Sequence, residues 1–152
     1  MPHGGPEVHW IDSARQLGSG ITMYLRERCD KWSLPDVYNT ICNRELYNFC
    51  EVAIDDPDTS EEAKARLSRF AGKRAAEDRE IHGIVSTAMT RLGFLGNKPI
   101  ADNMRESTVD FREMRKRQMT VFVILPGRYL ATYAVWLRTI TNSWADACLQ
   151  EE

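Results

Sequence analysis

The stretch that most constrains the fold of this chain runs from Met119 to Trp144, because a strand pattern there leads directly into a helix pattern. Residues 121 to 125 form a continuous apolar run that Pro126 and Gly127 end, which is typical of a strand buried on both faces of a parallel sheet. The residues after the turn recur at the spacing of one helical face: Leu130, Tyr133, Ala134, Leu137, Ile140, Thr141, Trp144 and Cys148. The pattern predicts one strand and one helix, which together are half of a βαβ unit.

A parallel sheet requires further strands, and no other segment of the chain has a comparable strand pattern. Either the strand pairs with another chain, or the polypeptide is a piece of something larger. Unpaired backbone groups on an apolar strand are costly to bury and invite pairing. We therefore expect a homodimer through residues 119 to 125, or else disorder of this segment or its collapse onto the helical body.

The composition limits the classes of protein to which the chain can belong. It has 152 residues, of which 43% are hydrophobic, so it has the length of one domain and enough apolar residues for a sizeable core. Its net charge of -2 gives no general reason to expect nucleic acid, since capture of phosphates normally shows as a basic surplus. No apolar run exceeds five residues, whereas a bilayer span needs roughly 20. The N-terminus also lacks the pattern of a signal peptide, and we expect a cytoplasmic location.

The residue types that usually carry chemistry lie apart in this sequence. The cysteines form no CxxC pair and are predicted to be buried free thiols rather than disulfides or zinc ligands. The histidines have no HxxxH spacing, so no metal site is predicted. The residues concerned are Cys29, Cys42, Cys50, Cys148, His3, His9 and His82.

The sequence also has no recognisable motif for nucleotide binding or for acyl transfer. No glycine-rich loop is followed by Lys and a hydroxyl residue in the way that phosphate binding requires, and no Ser, His and Asp arrangement stands out. The sequence therefore predicts no catalytic residue and no cofactor. A triad assembled only by the fold is the alternative.

The part of the chain before the strand is predicted to be helical. Pro and Gly residues make positions 1 to 8 a flexible N-terminus without a helix. Periodic apolar positions predict helices in four segments: 10 to 29, 33 to 42, 44 to 54, and 60 to 92 with a bend near Gly72 or Gly83. The charged first half of the longest helix is expected to project from the core. The predicted fold class is mainly α: a helical bundle over 9 to 118, then one strand and a helix of an incomplete α/β domain over 119 to 152.

Two basic clusters are the candidate binding residues. One recurs at helical spacing on one face, and the other directly precedes the strand. Each has two interpretations, either a solvated face of mixed charge or a surface that contacts phosphates or an acidic partner. Cluster 1 consists of Arg66, Arg69, Lys73 and Arg74, and cluster 2 consists of Arg112, Arg115, Lys116 and Arg117.

Several motifs between residues 87 and 144 occur together in a known family. They are LGFL at 92 to 95, IA at 100 and 101, DFREMRKRQMTVFVILP at 110 to 126, and TYAVWLR at 132 to 138. An N-terminal helix that contains WIDSAR, residues 10 to 15, completes the pattern. With these motifs the sequence resembles the type IV coupling proteins, the TraG-like ATPases of conjugation and type IV secretion, over almost its whole length.

The resemblance implies a division of roles between domains. In that family an all-α domain is inserted into a RecA-like nucleotide-binding domain, and full-length relatives are anchored to the bacterial inner membrane. The anchor and both Walker motifs are missing from this sequence, so the ATPase activity of the family is not expected of this chain.

What the resemblance implies for this chain is a non-catalytic, substrate-recruiting domain. Its partners would be effector or relaxase proteins on their way to the secretion channel, with DNA and other type IV secretion components as further candidates. The alternative is a helical nucleic-acid-binding module that uses clusters 1 and 2. The salt dependence of binding distinguishes these two functions. DNA binding weakens steeply as the salt concentration rises, whereas recognition of a protein tail tolerates salt better.

Overall fold

The computed structural model describes residues 6 to 149 of the chain. Within that range it contains eight α-helices and no strand, so the mainly α prediction is confirmed. The helices are α1 (Pro6–Arg28), α2 (Leu34–Cys42), α3 (Leu46–Asp55), α4 (Glu61–Leu67), α5 (Gly72–Glu77), α6 (Arg79–Arg91), α7 (Lys98–Arg105) and α8 (Ala134–Leu149). Short 3₁₀ turns lie at Ser68–Phe70, Gly93–Gly96, Phe111–Arg115 and Gly127–Tyr129. The chain forms two compact units, residues 1 to 105 and 106 to 152.

The first unit is organised around α1. Ala14, Leu17 and Ile21 are buried and recur at helical spacing along it, and α1 packs mainly against α4 and α6. Apolar side chains from the neighbouring helices complete one core: Ile41, Leu46, Cys50, Leu67, Phe70 and Ile84, all exposed by 2% or less. Each of the Ile, Leu and Phe side chains contributes roughly 1.5–3 kcal/mol by leaving water.

Two glycines permit the close approach of helices to α1. Gly20 is buried, and a Cβ there would lie 2.8 Å from Leu67 Cδ2 of α4. A Cβ on Gly83 of α6 would lie 2.5 Å from Trp10 Cζ3 of α1. Neither position has room for a side chain, so these glycines set the distance between the helices.

The predicted start of the first helix is wrong. α1 begins at Pro6, so residues 6 to 8 are helical, and positions 1 to 5 of the predicted flexible N-terminus lie outside the described residues. Proline is favourable in the first helical turn, because its missing N–H would have no intrahelical partner there. The predicted helices at 33 to 42 and 44 to 54 are confirmed as α2 and α3.

The single long helix predicted from 60 to 92 is also wrong, because the chain breaks it twice. Gly72 adopts a left-handed φ of 71°, which a residue without a Cβ tolerates. The Asp78 carboxylate then caps α6 by accepting a hydrogen bond from the Glu80 amide at 2.7 Å. The charged first half does not project from the core, since Ala63, Leu67 and Phe70 are fully buried.

The predicted strand at 119 to 125 is absent from the structure. The segment adopts no regular secondary structure, and the amides of residues 118 to 125 donate to no backbone carbonyl of the described chain. A strand is defined by the hydrogen bonds of a neighbouring strand, and residues 6 to 149 provide none. Phe122 and Ile124 are consequently 81% and 87% exposed.

The second unit contains α8, which packs against the turn at Phe111–Arg115. Its predicted inner face is partly wrong, since Trp136 is the buried side chain, whereas Trp144 is 45% exposed. Tyr133, Leu137 and Ile140 are half-buried, as the spacing predicts. The prediction assumed packing on a sheet, which the described residues lack.

The prediction of buried thiols holds for one cysteine. Cys50 is fully buried, and burial raises the pKa of its thiol to about 12. Cys29, Cys42 and Cys148 are free thiols too, but they are exposed. Among residues 6 to 149, no helix combines the length and the apolar composition needed to cross a bilayer.

We expect Gly20→Ala to lower the free energy of unfolding by about 1–3 kcal/mol, because the added methyl group meets Leu67 at the crossing of α1 and α4. Gly18 lies on the same helix with nothing within 4 Å of its Cβ position. Gly18→Ala should therefore stabilise by up to about 1 kcal/mol through helix propensity alone. Urea denaturation followed by circular dichroism measures both, and equal effects of the two substitutions would contradict the tight crossing.

Candidate functional site

Arg66 of cluster 1 joins α4 to α1. Its Nη1 donates to Ser19 Oγ at 2.8 Å, and its Nη2 lies 2.6 Å from Glu62 Oε1. The side chain is only partly exposed. Arg66 thus stabilises the packing of α4 on α1 within the bundle.

Arg69 of cluster 1 contributes to a three-residue junction. Its Nη2 donates to Glu80 Oε1 at 2.6 Å, and His9 Nε2 lies 2.8 Å from the same oxygen. The hydrogen bonds from His9 and Arg69 hold the pKa of Glu80 below its ordinary value of 4.5. The junction links α1, the turn after α4, and α6.

The other half of cluster 1 lies on a different helix. Lys73 and Arg74 are exposed on α5 and form no ion pair with the described residues. Because Gly72 turns the chain before them, the four cations do not share one continuous helical face as predicted.

Cluster 2 is likewise partly compensated by its own carboxylates. Arg112 holds Asp110 through two nitrogens, with Nε to Oδ1 at 3.0 Å and Nη2 to Oδ2 at 2.9 Å, which lowers the pKa of Asp110. Arg117 Nε lies 3.1 Å from Glu113 Oε2. At least two of the four cations in each cluster therefore face a carboxylate of this chain.

The second unit holds an open cavity of about 600 Å³. It is lined by residues 107 to 112 together with Ser143, Asp146 and Ala147. The Asp110 and Arg112 side chains on its wall neutralise each other. In the part of the chain that the structure describes, no group of His, Cys, Asp and Glu side chains could hold a metal ion.

A groove between α2 and α3 is a site that the sequence reasoning missed. It has a volume of about 310 Å³ and is lined by Thr40, Asn43, Glu45, Asn48, Phe49 and Val52. Val52 is 55% exposed, on the side of α3 away from the buried Leu46, Cys50 and Ala53. The signal was present in the sequence, since Val52 lies outside the apolar stripe of its own helix.

A comparison with protein families matches the whole chain, residues 1–152, to the family described as Type IV secretory system Conjugative DNA transfer. No curated protein and no solved structure matches the chain.

We expect Glu80→Gln to destabilise the protein at neutral pH and to have a smaller effect at about pH 3. The pKa of Glu80 is lower in the folded protein than its ordinary value of 4.5. Its stabilising effect is therefore present above that value and is lost as the pH falls through the folded-state pKa. Urea midpoints at the two pH values measure this.

Glu77→Gln is the matched control, because Glu77 is exposed and forms no ion pair with the described residues. It should leave the urea midpoint unchanged at both pH values. A loss of stability in Glu80→Gln that is the same at both pH values would show that the ionised carboxylate is not what stabilises the junction.

Proposed function

Since this chain belongs to the conjugative DNA transfer family of type IV secretory systems, we propose that it is the substrate-recruiting helical part of a TraG-like coupling protein. Residues 9 to 118 act as the recognition domain, and residues 119 to 152 belong to the RecA-like nucleotide-binding domain. The observation that carries this proposal is the family match over the whole sequence, which includes the helical body and not only the motifs near its end.

The partners of the recognition domain are effector or relaxase proteins, which it binds and delivers to the secretion channel. The role of this chain is binding rather than nucleotide turnover, since its sequence contains no glycine and lysine phosphate loop. The alternative, a nucleic-acid-binding module, has less support. Capture of phosphates depends on uncompensated cations, and at least half of each cluster is paired within the chain.

We expect the immobilised chain to retain a relaxase, or a few secreted proteins that share a C-terminal tail, from a lysate of its native host. Retention should persist through a high-salt wash, because contacts that exclude water are screened less than exposed charges. Mass spectrometry of the fractions eluted at low and high salt identifies the bound proteins.

Two controls accompany the pull-down. Lysate treated with nuclease should give the same proteins, whereas bound material that consists of nucleic acid and washes off with salt would favour the alternative. Nucleotide hydrolysis by the purified chain would contradict the non-catalytic role.

A second copy of the chain is a further partner, paired through residues 119 to 125. The backbone amides there form no backbone hydrogen bond within the described chain, and Phe122 and Ile124 are largely exposed. An exposed apolar edge of this kind pairs readily with another strand.

We expect the chain to dimerise as its concentration rises, and Ile124→Lys to abolish the dimer, because a charge would enter the paired strands. Leu149→Lys is the matched control, since Leu149 is 79% exposed and lies on α8, outside the segment. Sedimentation velocity measures the association. A wild-type chain that stays monomeric at high concentration, or a dimer that survives Ile124→Lys, would contradict this interface.

A further inference from the structure

The groove between α2 and α3 combines an apolar floor with a polar rim. Phe49 and Val52 provide the floor, and Phe49 is held by an edge contact with Tyr24, with ring centroids 5.3 Å apart. Thr40 and Asn43 from the end of α2 form the opposite wall. The volume of about 310 Å³ suffices for one large apolar side chain of a partner.

The charge around the groove is strongly one-sided. Between Leu34 and Asp58 the sequence has six carboxylates and one basic residue, Arg44. Three of the carboxylates form ion pairs with arginines from other segments: Asp36 with Arg105, and Asp56 and Asp58 with Arg28.

The remaining three carboxylates are exposed and have no ion-pair partner among the described residues: Glu45, Glu51 and Asp55. Glu45 and Asp55 share a helical face with Val52, and Glu51 lies at the margin of that face. Glu45 and Asp55 are ten positions apart, which is about 15 Å along a helix axis. Four or five residues of an extended peptide span about the same distance.

On the basis of this match we propose that the groove binds a basic peptide segment, in which one apolar side chain is flanked on both sides by Lys or Arg. The apolar side chain occupies the space over Phe49 and Val52, and the flanking cations face Glu45 and Asp55. The inference rests on the proposed function and specifies the class of segment that a recruited protein carries. The acidic rim repels phosphates, so nucleic acid does not fit this surface.

The probe is the fluorescein-labelled peptide GKSLSRG, titrated into the full chain and followed by fluorescence anisotropy. Val52→Arg places a bulky cation in the groove and should weaken binding about tenfold or more. At low salt, Glu45→Gln with Asp55→Asn should weaken it by a similar factor, and the part of the affinity that salt screens should disappear while the apolar contact remains. Amide shifts in ¹⁵N-labelled protein should cluster on α2 and α3.

Matched controls separate charge from position. Glu77→Gln with Glu106→Gln removes two exposed carboxylates elsewhere and should leave the affinity unchanged. The peptides GESLSEG and GKSSSRG, which lack the cations and the apolar side chain respectively, should bind more weakly by about tenfold. Val52 is exposed, so its replacement leaves the core intact, and circular dichroism verifies the fold.

Three results would overturn the proposal. They are no binding of GKSLSRG, binding that neither groove variant weakens, and a wild-type dimer that Val52→Arg dissociates, which would identify a second copy as the occupant. Repeating the pull-down with Val52→Arg distinguishes this failure from failure of the recruiting role. If Val52→Arg still retains the secreted proteins, the groove proposal is refuted but the recruiting role is not. If the wild-type chain binds the peptide but retains no secreted protein, the recruiting role is refuted but the groove proposal is not.

Discussion

The first unit depends on the close contact of α1 with the helices that cover it. Gly20 of α1 lets α4 approach until Leu67 fills the space of a missing side chain, and Gly83 of α6 makes the same kind of room for Trp10 of α1. At this separation the apolar side chains of three helices interlock, and Leu17, Ile21, Leu67 and Ile84 are completely buried. α2 and α3 then pack on this core, which leaves the groove residues on their outer side.

The sequence correctly predicts features that depend on residues close together in the chain, such as the start of a helix. Ser33, Pro35 and Asp36 mark the start of α2, and the Asp36 carboxylate accepts a hydrogen bond from the Ser33 amide at 2.8 Å. The break at Gly72 was harder to predict, because glycine in a helical pattern is compatible with either a bend or a left-handed turn. The strand prediction failed for a different reason. The apolar run at 121 to 125 has the composition of a strand, but a strand forms only when residues elsewhere provide a neighbouring strand to pair with.

The candidate site shows the same limit. Counting cations identified two basic clusters, but two of the cations have partners elsewhere in the sequence, Ser19 for Arg66 and Glu80 for Arg69. Only the fold shows that these guanidinium groups hold helices together. The groove was missed because spacing arguments select residues of one helix, whereas its two walls belong to α2 and α3.

The central position of α1 has a consequence for synthesis. Its apolar face is covered by α4 and α6, and the last residue of α6 is Arg91, so more than half of the first unit must be made before α1 has its partners. At roughly 5–20 residues per second, a ribosome needs several seconds to add that much chain. During this time α1 exposes Leu17 and Ile21 as an unshielded amphipathic helix. Transiently exposed apolar surface is prone to aggregation, so slow translation would prolong the period in which the first helix is vulnerable.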